Sequence, residues 1–173
     1  EVFMKNRETD EWLKQNQKST REFIRKWGHF CKHDALMKPI IPSKYDIGFI
    51  IDNPNLQLIQ ALEPWCSTVY CDECMIPGST AAGRVVDYIE EENTSFNLHD
   101  KFKPLDNKKN NEILVTIDGN KFTQQDFHYI QQLPEILDDS VFLEEDYGEK
   151  FEVGNLQLEI FATNKFEKNL IKI

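Results

Sequence analysis

Apolar residues run almost without a break from Ile47 to Ile51, which predicts a strand covered on both faces. A helix is predicted to follow, because Asn53 can cap its free amides and Pro54 suits the first helical position. Pro64 is predicted to end this helix, whose apolar residues recur at helical spacing and are Leu58, Ile59, Leu62 and Trp65. Since residues 67–71 supply a second β-rich run, the segment predicts two parallel strands joined by a right-handed helical crossover.

The chain before this unit predicts a helical arm over residues 1–28, in two short helices because a polar stretch interrupts the apolar pattern. The second helix is predicted to begin at Ser19, which can form a capping box with Glu22 three residues later. Gly28 is predicted to close it in the left-handed conformation. Residues 29–44 then predict a linker or covering segment that its two prolines hold extended.

After the second strand, a loop of small residues spans positions 76–84 and leads into an amphipathic helix. Three consecutive acids, Glu90 to Glu92, close this helix, where negative charge opposes the helix dipole. We therefore expect its last turn to fray. Residues 93–111 are polar, and their run DNKKNN predicts a linker.

A second small unit is predicted beyond this linker. Residues 112–118 (EILVTID) predict a strand, and Thr123 is predicted to cap a helix that Pro134 kinks or ends. Residues 156–161 alternate apolar and polar side chains, which is typical of a strand with one face in water. That strand should lie at a sheet edge or in an antiparallel pair.

Together these patterns predict an α/β fold with a small parallel or mixed sheet, flanking helices, an N-terminal helical arm and a C-terminal strand-helix-strand unit. The predicted divisions are a helical arm over residues 1–28, a Rossmann-like α/β core over 29–105, and a small α/β unit over 112–173 that can complete the same domain.

Length and charge limit the function classes. The chain has 173 residues, enough for one ordinary core, and a net charge of -10, which repels nucleic-acid phosphates. No apolar stretch is long enough to span a bilayer and no signal peptide is evident, so we expect a cytoplasmic chain with reduced cysteines. Because the sequence starts at Glu1 and not at Met, a fragment or processed product is expected.

Cysteine and histidine spacing raises the question of a metal site. The candidate ligands are His29, Cys31, His33, Cys66, Cys71 and Cys74. Both residue types suit zinc, but a second C-x2-C or H-x3-H pair is missing. The favoured interpretation is that Cys66 and Cys71 are small buried apolar residues and that the histidines lie at the surface, so no metal and no cofactor are predicted.

The loop at positions 78–84 is a candidate anion site. If a helix begins near Ser79 or Thr80, its free amides favour a phosphate and Arg84 adds charge. The lysine of a phosphate loop is missing, which excludes a P-loop NTPase. Open α/β sheets bind ligands at the carboxyl ends of their strands, so the predicted ligand residues are Asp52, Gly78, Ser79, Thr80 and Arg84.

Structural alternatives to this site stay open. The loop can be a plain connection. A further candidate is catalysis by the carboxylates that flank the predicted sheet, Asp46, Asp52, Asp72 and Asp87, but Asp at a strand end commonly caps a turn. No G-x-S-x-G, H-E-x-x-H or G-x-G-x-x-G motif occurs, so no catalytic residue is assigned.

The segment NQKSTREFIRKWG resembles the closing segment of family 2 (GT-A type) glycosyltransferase domains, through Asn16, Phe23, Lys26, Trp27 and Gly28. The stretch that follows is similar to an accessory C-terminal domain of bacterial and phage glycosyltransferases, and the resemblance covers about the first half of the chain. Such enzymes hold the nucleotide sugar and metal with a D-x-D motif, which this chain lacks. The resemblance therefore implies an appended module whose catalytic domain lies upstream.

Three hypotheses follow. The first is a noncatalytic accessory domain of a glycosyltransferase-like protein, serving acceptor binding or assembly, with an upstream catalytic domain or a sugar as partner. The second is a small transferase that binds a nucleotide sugar or phosphosugar through Arg84 and an acid such as Asp52. The third is a structural interaction module that docks on a partner through aromatic residues such as Trp12 and Trp27.

Overall fold

The computed structural model describes residues 9–72 and 80–164. Its helices are α1 (Asp10–Trp27), α2 (Leu56–Leu62), α3 (Thr80–Glu92), α4 (Leu98–Lys101) and α5 (Gln124–Asp139). The strands are β1 (Lys32–His33), β2 (Pro39–Ile40), β3 (Ile47–Asp52), β4 (Thr68–Tyr70), β5 (Phe102–Lys103), β6 (Ile113–Asp118), β7 (Lys150–Val153) and β8 (Leu156–Ile160). Two short 3-10 helices span Glu63–Trp65 and Glu144–Asp146.

Six strands form one mixed sheet in the order β5-β4-β3-β6-β8-β7, with helices flanking it. Strands β5, β4, β3 and β6 are parallel to one another. Strand β8 pairs antiparallel with β6, and β7 pairs antiparallel with β8. The predicted α/β fold class is confirmed. Strands β3 and β6 are paired over six residues, from Ile47 with Ile113 to Asp52 with Asp118, so the segments on either side of the polar linker share a sheet.

The predicted strand, helix, strand unit is present, with β3 and β4 parallel, but the start of its helix differs from the prediction. Asn55 is the cap of α2, and its side-chain oxygen accepts a hydrogen bond from the Leu58 amide at 2.9 Å. Asn53 instead takes a left-handed backbone conformation, with φ of 50°, at the end of β3. Asn tolerates this conformation better than most residues, so the chain turns sharply there and the helix begins beyond Pro54.

In the described part of the helical arm, residues 9–28, there is a single helix and not two. Thr9 caps α1, and Ser19 lies in its interior, where the hydroxyl donates to the Gln15 carbonyl at 2.9 Å. Because this bond follows the i to i-4 direction of the helix, the polar stretch does not interrupt α1 and instead faces water. The predicted end is confirmed, since Gly28 has φ of 81° and its amide donates to the Ile24 carbonyl.

Residues 32–40, within the predicted linker, form a two-stranded antiparallel hairpin of β1 and β2. The Asp34 carboxylate organises its turn by accepting hydrogen bonds from the amides of Leu36 at 2.8 Å and Lys38 at 2.9 Å. Met37 has φ of 62°, a left-handed conformation that is unusual for a residue with a long side chain. The turn is therefore well defined, although its side chains point away from the core.

The C-terminal unit largely follows its prediction. Thr123 caps α5 in a capping box with Asp126, and α5 continues through Pro134 to Asp139, so the proline does not end the helix. Strand β8 alternates buried and half-buried side chains and pairs antiparallel with both β6 and β7. It is therefore an inner strand, and β7 is the edge strand among the described residues.

Candidate functional site

The carboxyl edge of the sheet lies where the order of the strands reverses. From β3 the chain proceeds outward through β4 and β5 on one side, and it returns as β6 on the other side. Sheets with this order bind ligands in the crevice outside the carboxyl ends of these two central strands. Here the residues at those ends are Asp52 and Asp118, which are direct neighbours in the parallel register.

The protein's own residues fill this crevice. The Asn53 side-chain amide and the Asn120 backbone amide both donate to Asp118 Oδ1, each at 3.1 Å. The Lys121 ammonium lies 3.4 Å from Asp118 Oδ2. The hydrogen bond from the Asn120 amide, followed by that from Asn53, lowers the pKa of the Asp118 carboxyl. Asp118 therefore acts as an ionised acceptor that holds the turn together.

The backbone closes the same crevice. The Gly119 amide donates to the Asp52 carbonyl at 2.8 Å, and a Cβ at Gly119 would lie only 2.2 Å from the Asn53 carbonyl oxygen. Glycine is thus required for close packing of two turns of this chain. In a dinucleotide site, by contrast, glycines allow a pyrophosphate to approach the backbone.

The predicted ligand residues are only partly within the described structure. Asp52 is exposed at the end of β3, Thr80 is the first residue of α3, and Arg84 is exposed one turn later. Among the described residues, neither the Asp52 carboxylate nor the Arg84 guanidinium has a hydrogen-bond or ion-pair partner. Gly78 and Ser79 lie outside the described ranges, so this ligand site stays a prediction.

The other acids at strand ends have structural partners. Asp72 Oδ1 accepts a hydrogen bond from the Leu105 amide at 2.8 Å, which ties the end of β4 to the chain beyond β5. Asp46 Oδ1 accepts from the side-chain amide of Asn111 at 2.7 Å, and the Tyr70 hydroxyl donates to the Asn111 carbonyl oxygen at 2.8 Å. These contacts favour the interpretation in which the acids organise turns.

The cysteines and histidines of the candidate metal site do not assemble in the described part of the chain. No group of three or more His, Cys, Asp or Glu side chains there could hold a metal ion, and Cys74 lies outside it. Cys66 and Cys71 are buried, as predicted, and burial raises the pKa of the Cys66 thiol to about 12. The surface prediction is wrong for His29, which is buried and whose Nδ1 donates to the Phe30 carbonyl at 2.6 Å.

An ion cluster lies between α1, the 3-10 helix Glu63–Trp65, α3 and the end of α4. We define it as Arg21, Arg25, Glu63, Tyr88, Glu92 and Lys101. At its centre the Arg25 guanidinium donates to Glu63 Oε2 at 2.7 Å and to Glu92 Oε2 at 2.6 Å. The Tyr88 hydroxyl and the Lys101 ammonium also donate to Glu63, at 2.8 Å and 2.6 Å. The Glu63 side chain is fully buried, so its charge is neutralised entirely by these neighbours.

The charges of this cluster depend on one another. Burial alone would raise the pKa of the Glu63 carboxyl, but Lys101 and Arg25 together lower it to about 2. Burial also disfavours the charged form of Arg25, yet hydrogen bonding to Glu63 leaves the pKa of this guanidinium above its ordinary value. The Glu63 carboxylate and the Arg25 guanidinium are therefore both ionised at neutral pH.

The prediction that the last turn of α3 frays is wrong, because the helix continues to Glu92. Its carboxylate is buried and accepts hydrogen bonds from both Arg21 and Arg25, so two cations offset its unfavourable position in the helix dipole. Sequence reasoning missed this cluster. Its partners lie 38 and 67 residues apart from Arg25, and the acid run at the end of α3 was the only signal of a charged contact.

These observations define an open α/β sheet protein whose parallel half has the strand order of a doubly wound fold and whose central crevice is filled by its own turns. Comparisons of the chain with known protein families, with curated proteins and with solved structures find no match. Within residues 9–72 and 80–164, no helix is long and apolar enough to cross a bilayer.

Proposed function

We propose that this chain is a noncatalytic α/β accessory domain of a glycosyltransferase-like protein, with a role in acceptor binding or assembly. The observation that supports the proposal most strongly is the filled crevice at the carboxyl ends of β3 and β6. A nucleotide sugar needs a backbone cradle for its pyrophosphate, and this position offers a carboxylate held by Asn53 and Asn120.

Charge at this edge supports the same proposal. Asp52 and Asp118 are adjacent, while Lys121 is 72% exposed and is the one cation paired with them among the described residues. A pyrophosphate carries negative charge, so adjacent carboxylates disfavour its approach unless a cation intervenes. The chain's net charge of -10 adds to this effect.

The way the helical arm joins the sheet supports the role of an appended module. The segment that resembles the close of a glycosyltransferase domain, residues 16–28, forms the second part of α1 and its cap. Arg25 of that segment is buried and pairs with Glu63 and Glu92, which lie in the α/β core. The arm and the core are thereby one packed unit, as expected for a domain that is held at a fixed position.

The apolar hairpin surface, defined as Leu36, Met37, Ile40 and Ile41, supports a role in assembly. Leu36 is 76% exposed, Met37 72% and Ile41 65%, although the Asp34 carboxylate fixes the backbone that displays them. Contiguous exposed apolar side chains on an ordered turn are typical of interaction surfaces. Because this surface begins only eight residues after Gly28, we propose that it packs on the catalytic domain upstream.

The accessory role predicts no turnover by the isolated chain. Incubation with uridine and guanosine diphosphate sugars, with Mg²⁺ or Mn²⁺, should release no nucleoside diphosphate above the protein-free blank, measured by chromatography. Release would contradict the proposal, and its loss in Arg84→Ala and Asp52→Asn would identify the competing transferase. Retention of release in both variants would contradict that alternative as well.

The assembly role predicts a difference between this chain and a longer chain that carries the upstream coding sequence. Exchange of the amide hydrogens at residues 36–41, where Pro39 has none, should be at least about tenfold slower in the longer chain, because packing excludes water from the hairpin. Exchange at Gly148, in an exposed turn far along the chain, serves as the internal control and should not change. Equal exchange at residues 36–41 in both chains would contradict docking of the hairpin.

A further inference from the structure

A cleft of about 300 Å³ opens beside the start of β4. It is lined by residues of four segments: the end of α1, Lys44 before β3, the turn before β4, and the chain from Phe96 to Lys101. A second cleft of about 210 Å³ adjoins it and shares Phe96, Asn97 and Leu98. Phe96 therefore forms a common wall of two neighbouring clefts.

The Phe96 ring is available for contact with a ligand. The residue is 37% exposed, and its ring does not stack on another aromatic ring of the described residues. Its neighbour Leu98 is buried and belongs to α4, so the ring is carried by an anchored segment. An exposed aromatic face on an anchored backbone suits a flat apolar surface of a ligand.

Hydrogen-bonding groups of both kinds line the larger cleft. The Lys101 ammonium has three N–H donors and gives two to Glu63, to its carbonyl and to Oε1, both at 2.6 Å. The Ser67 hydroxyl has no partner in the described part of the chain and can donate or accept. Asp100 Oδ2 accepts from the Asn97 side chain at 2.6 Å, which leaves Oδ1 as an acceptor.

The charges of the residues that line the cleft disfavour the binding of a phosphate group. The cations of the cleft already have partners, since Arg25 and Lys101 pair with Glu63 and the Lys44 ammonium donates to the Arg25 carbonyl at 2.6 Å. The exposed Asp100 carboxylate would repel an added anion. A purely apolar ligand is equally unsuited, because it would bury donors and acceptors without replacing their hydrogen bonds. The remaining class is a neutral ligand with many hydroxyl groups and one apolar face.

We propose that these two clefts form a binding site for a neutral carbohydrate of one or two hexose rings, with the C–H face of one ring against Phe96. The larger cleft lies at the lower end of the range of small-molecule sites, roughly 300–1,000 Å³, which suits a single sugar ring. Ser67, Asp100 and Lys101 supply donors and acceptors for its hydroxyls. This site would give the proposed accessory domain its acceptor. The identification of the bound sugar as the acceptor rests on the proposed function.

The test is a titration of the ¹⁵N-labelled chain with glucose, galactose, mannose, N-acetylglucosamine, maltose and lactose, followed by amide chemical shifts. At least one sugar should give saturable shifts at Ser67, Phe96, Asn97 and Lys101. Phe96→Ala should raise the dissociation constant about tenfold, because the stacking face is lost, whereas Phe96→Tyr should bind as the parent does. The control is Phe161→Ala, which removes another exposed phenylalanine outside the clefts and should leave the affinity unchanged.

Several outcomes would overturn the site. These are the absence of saturable shifts with every sugar, saturable shifts that map to the groove of about 630 Å³ beside Arg21 and Tyr88, or equal affinity in Phe96→Ala and the parent. Unchanged amide shifts of the sheet in Phe96→Ala show that the variant is folded. Nucleotide release by the isolated chain would contradict the accessory role without changing this titration, so the two proposals fail separately.

Discussion

Replacing Glu63 with alanine is expected to lower the free energy of unfolding by about 4 kcal/mol, because the change leaves buried cations without their counter-ion. Arg25 has a side-chain exposure of 1% and would keep Glu92 as its one buried carboxylate partner, beside the neutral Tyr88 hydroxyl. Lys101 would lose the carboxylate that lies 2.6 Å from its ammonium. The loss of these contacts should loosen α1 from the sheet, so a reduced denaturant midpoint and reduced amide protection in α1 are both expected.

The matched control is Glu159→Ala, which removes a partly exposed carboxylate from an ion pair with Lys150 at 3.1 Å. Lys150 is 57% exposed, so this variant should lose less than about 1 kcal/mol in the same urea titration. Equal losses of unfolding free energy in the two variants would show that the ion cluster stabilises the fold no more than a surface ion pair does.

Glu63 also gives the prediction a pH signature. Its pKa is about 2 in the folded chain and near 4.5 ordinarily, so the folded state stabilises the carboxylate over the protonated acid. The Glu63 carboxylate thereby contributes on the order of 3 kcal/mol to the free energy of unfolding. This contribution is fully present above the ordinary pKa and is lost as the pH falls toward the pKa of the folded chain. The difference in unfolding free energy between about pH 6 and about pH 3 should therefore be smaller in Glu63→Gln than in the parent. An identical pH dependence would contradict the assignment.

Gly119→Ala is expected to lower the free energy of unfolding by about 3 kcal/mol, because two backbone turns approach too closely for a side chain between them. The added Cβ would lie 2.2 Å from the Asn53 carbonyl oxygen and 3.1 Å from a methyl of Leu58. Backbone cannot move aside as a flexible side chain does, so the turns after β3 and β6 must separate.

The comparison variant is Gly148→Ala. Gly148 has φ of 85°, and a Cβ added there would have no atom within 4 Å, so this change carries only the left-handed backbone cost of roughly 1–2 kcal/mol. Thermal and urea unfolding of both variants measure the difference. A loss in Gly119→Ala no greater than that in Gly148→Ala would mean that the crevice is not closed as described.

The parts of the fold that were predictable are those set by local pattern. The apolar run at Ile47 to Ile51 can be stable only as a strand covered on both faces, and the alternation at Leu156 to Ile160 indicated an antiparallel neighbour. Cap positions were less predictable, because Asn53 and Asn55 are both good caps and the sharp turn at Asn53 decided between them.

The features of the candidate sites were beyond local pattern. Arg25 and Glu63 come into contact only when α1 has packed on the sheet, and the local sequence around neither residue indicates this contact. The cleft beside the start of β4 likewise brings Ser67, Phe96 and Lys101 to one surface through the path of the chain between β4 and α4. Such contacts depend on tertiary structure, which the local pattern of a single sequence does not reveal.

The edges of the sheet limit how this protein can associate with itself. Edge strand β7 carries the exposed charges Lys150 and Glu152, and the opposite edge strand, β5, has only two residues. Short or charged edges disfavour the addition of a strand from another chain. Growth of the sheet between copies is thereby discouraged, so an unfolding intermediate that exposed β8 by detaching β7 would be the form most prone to aggregate.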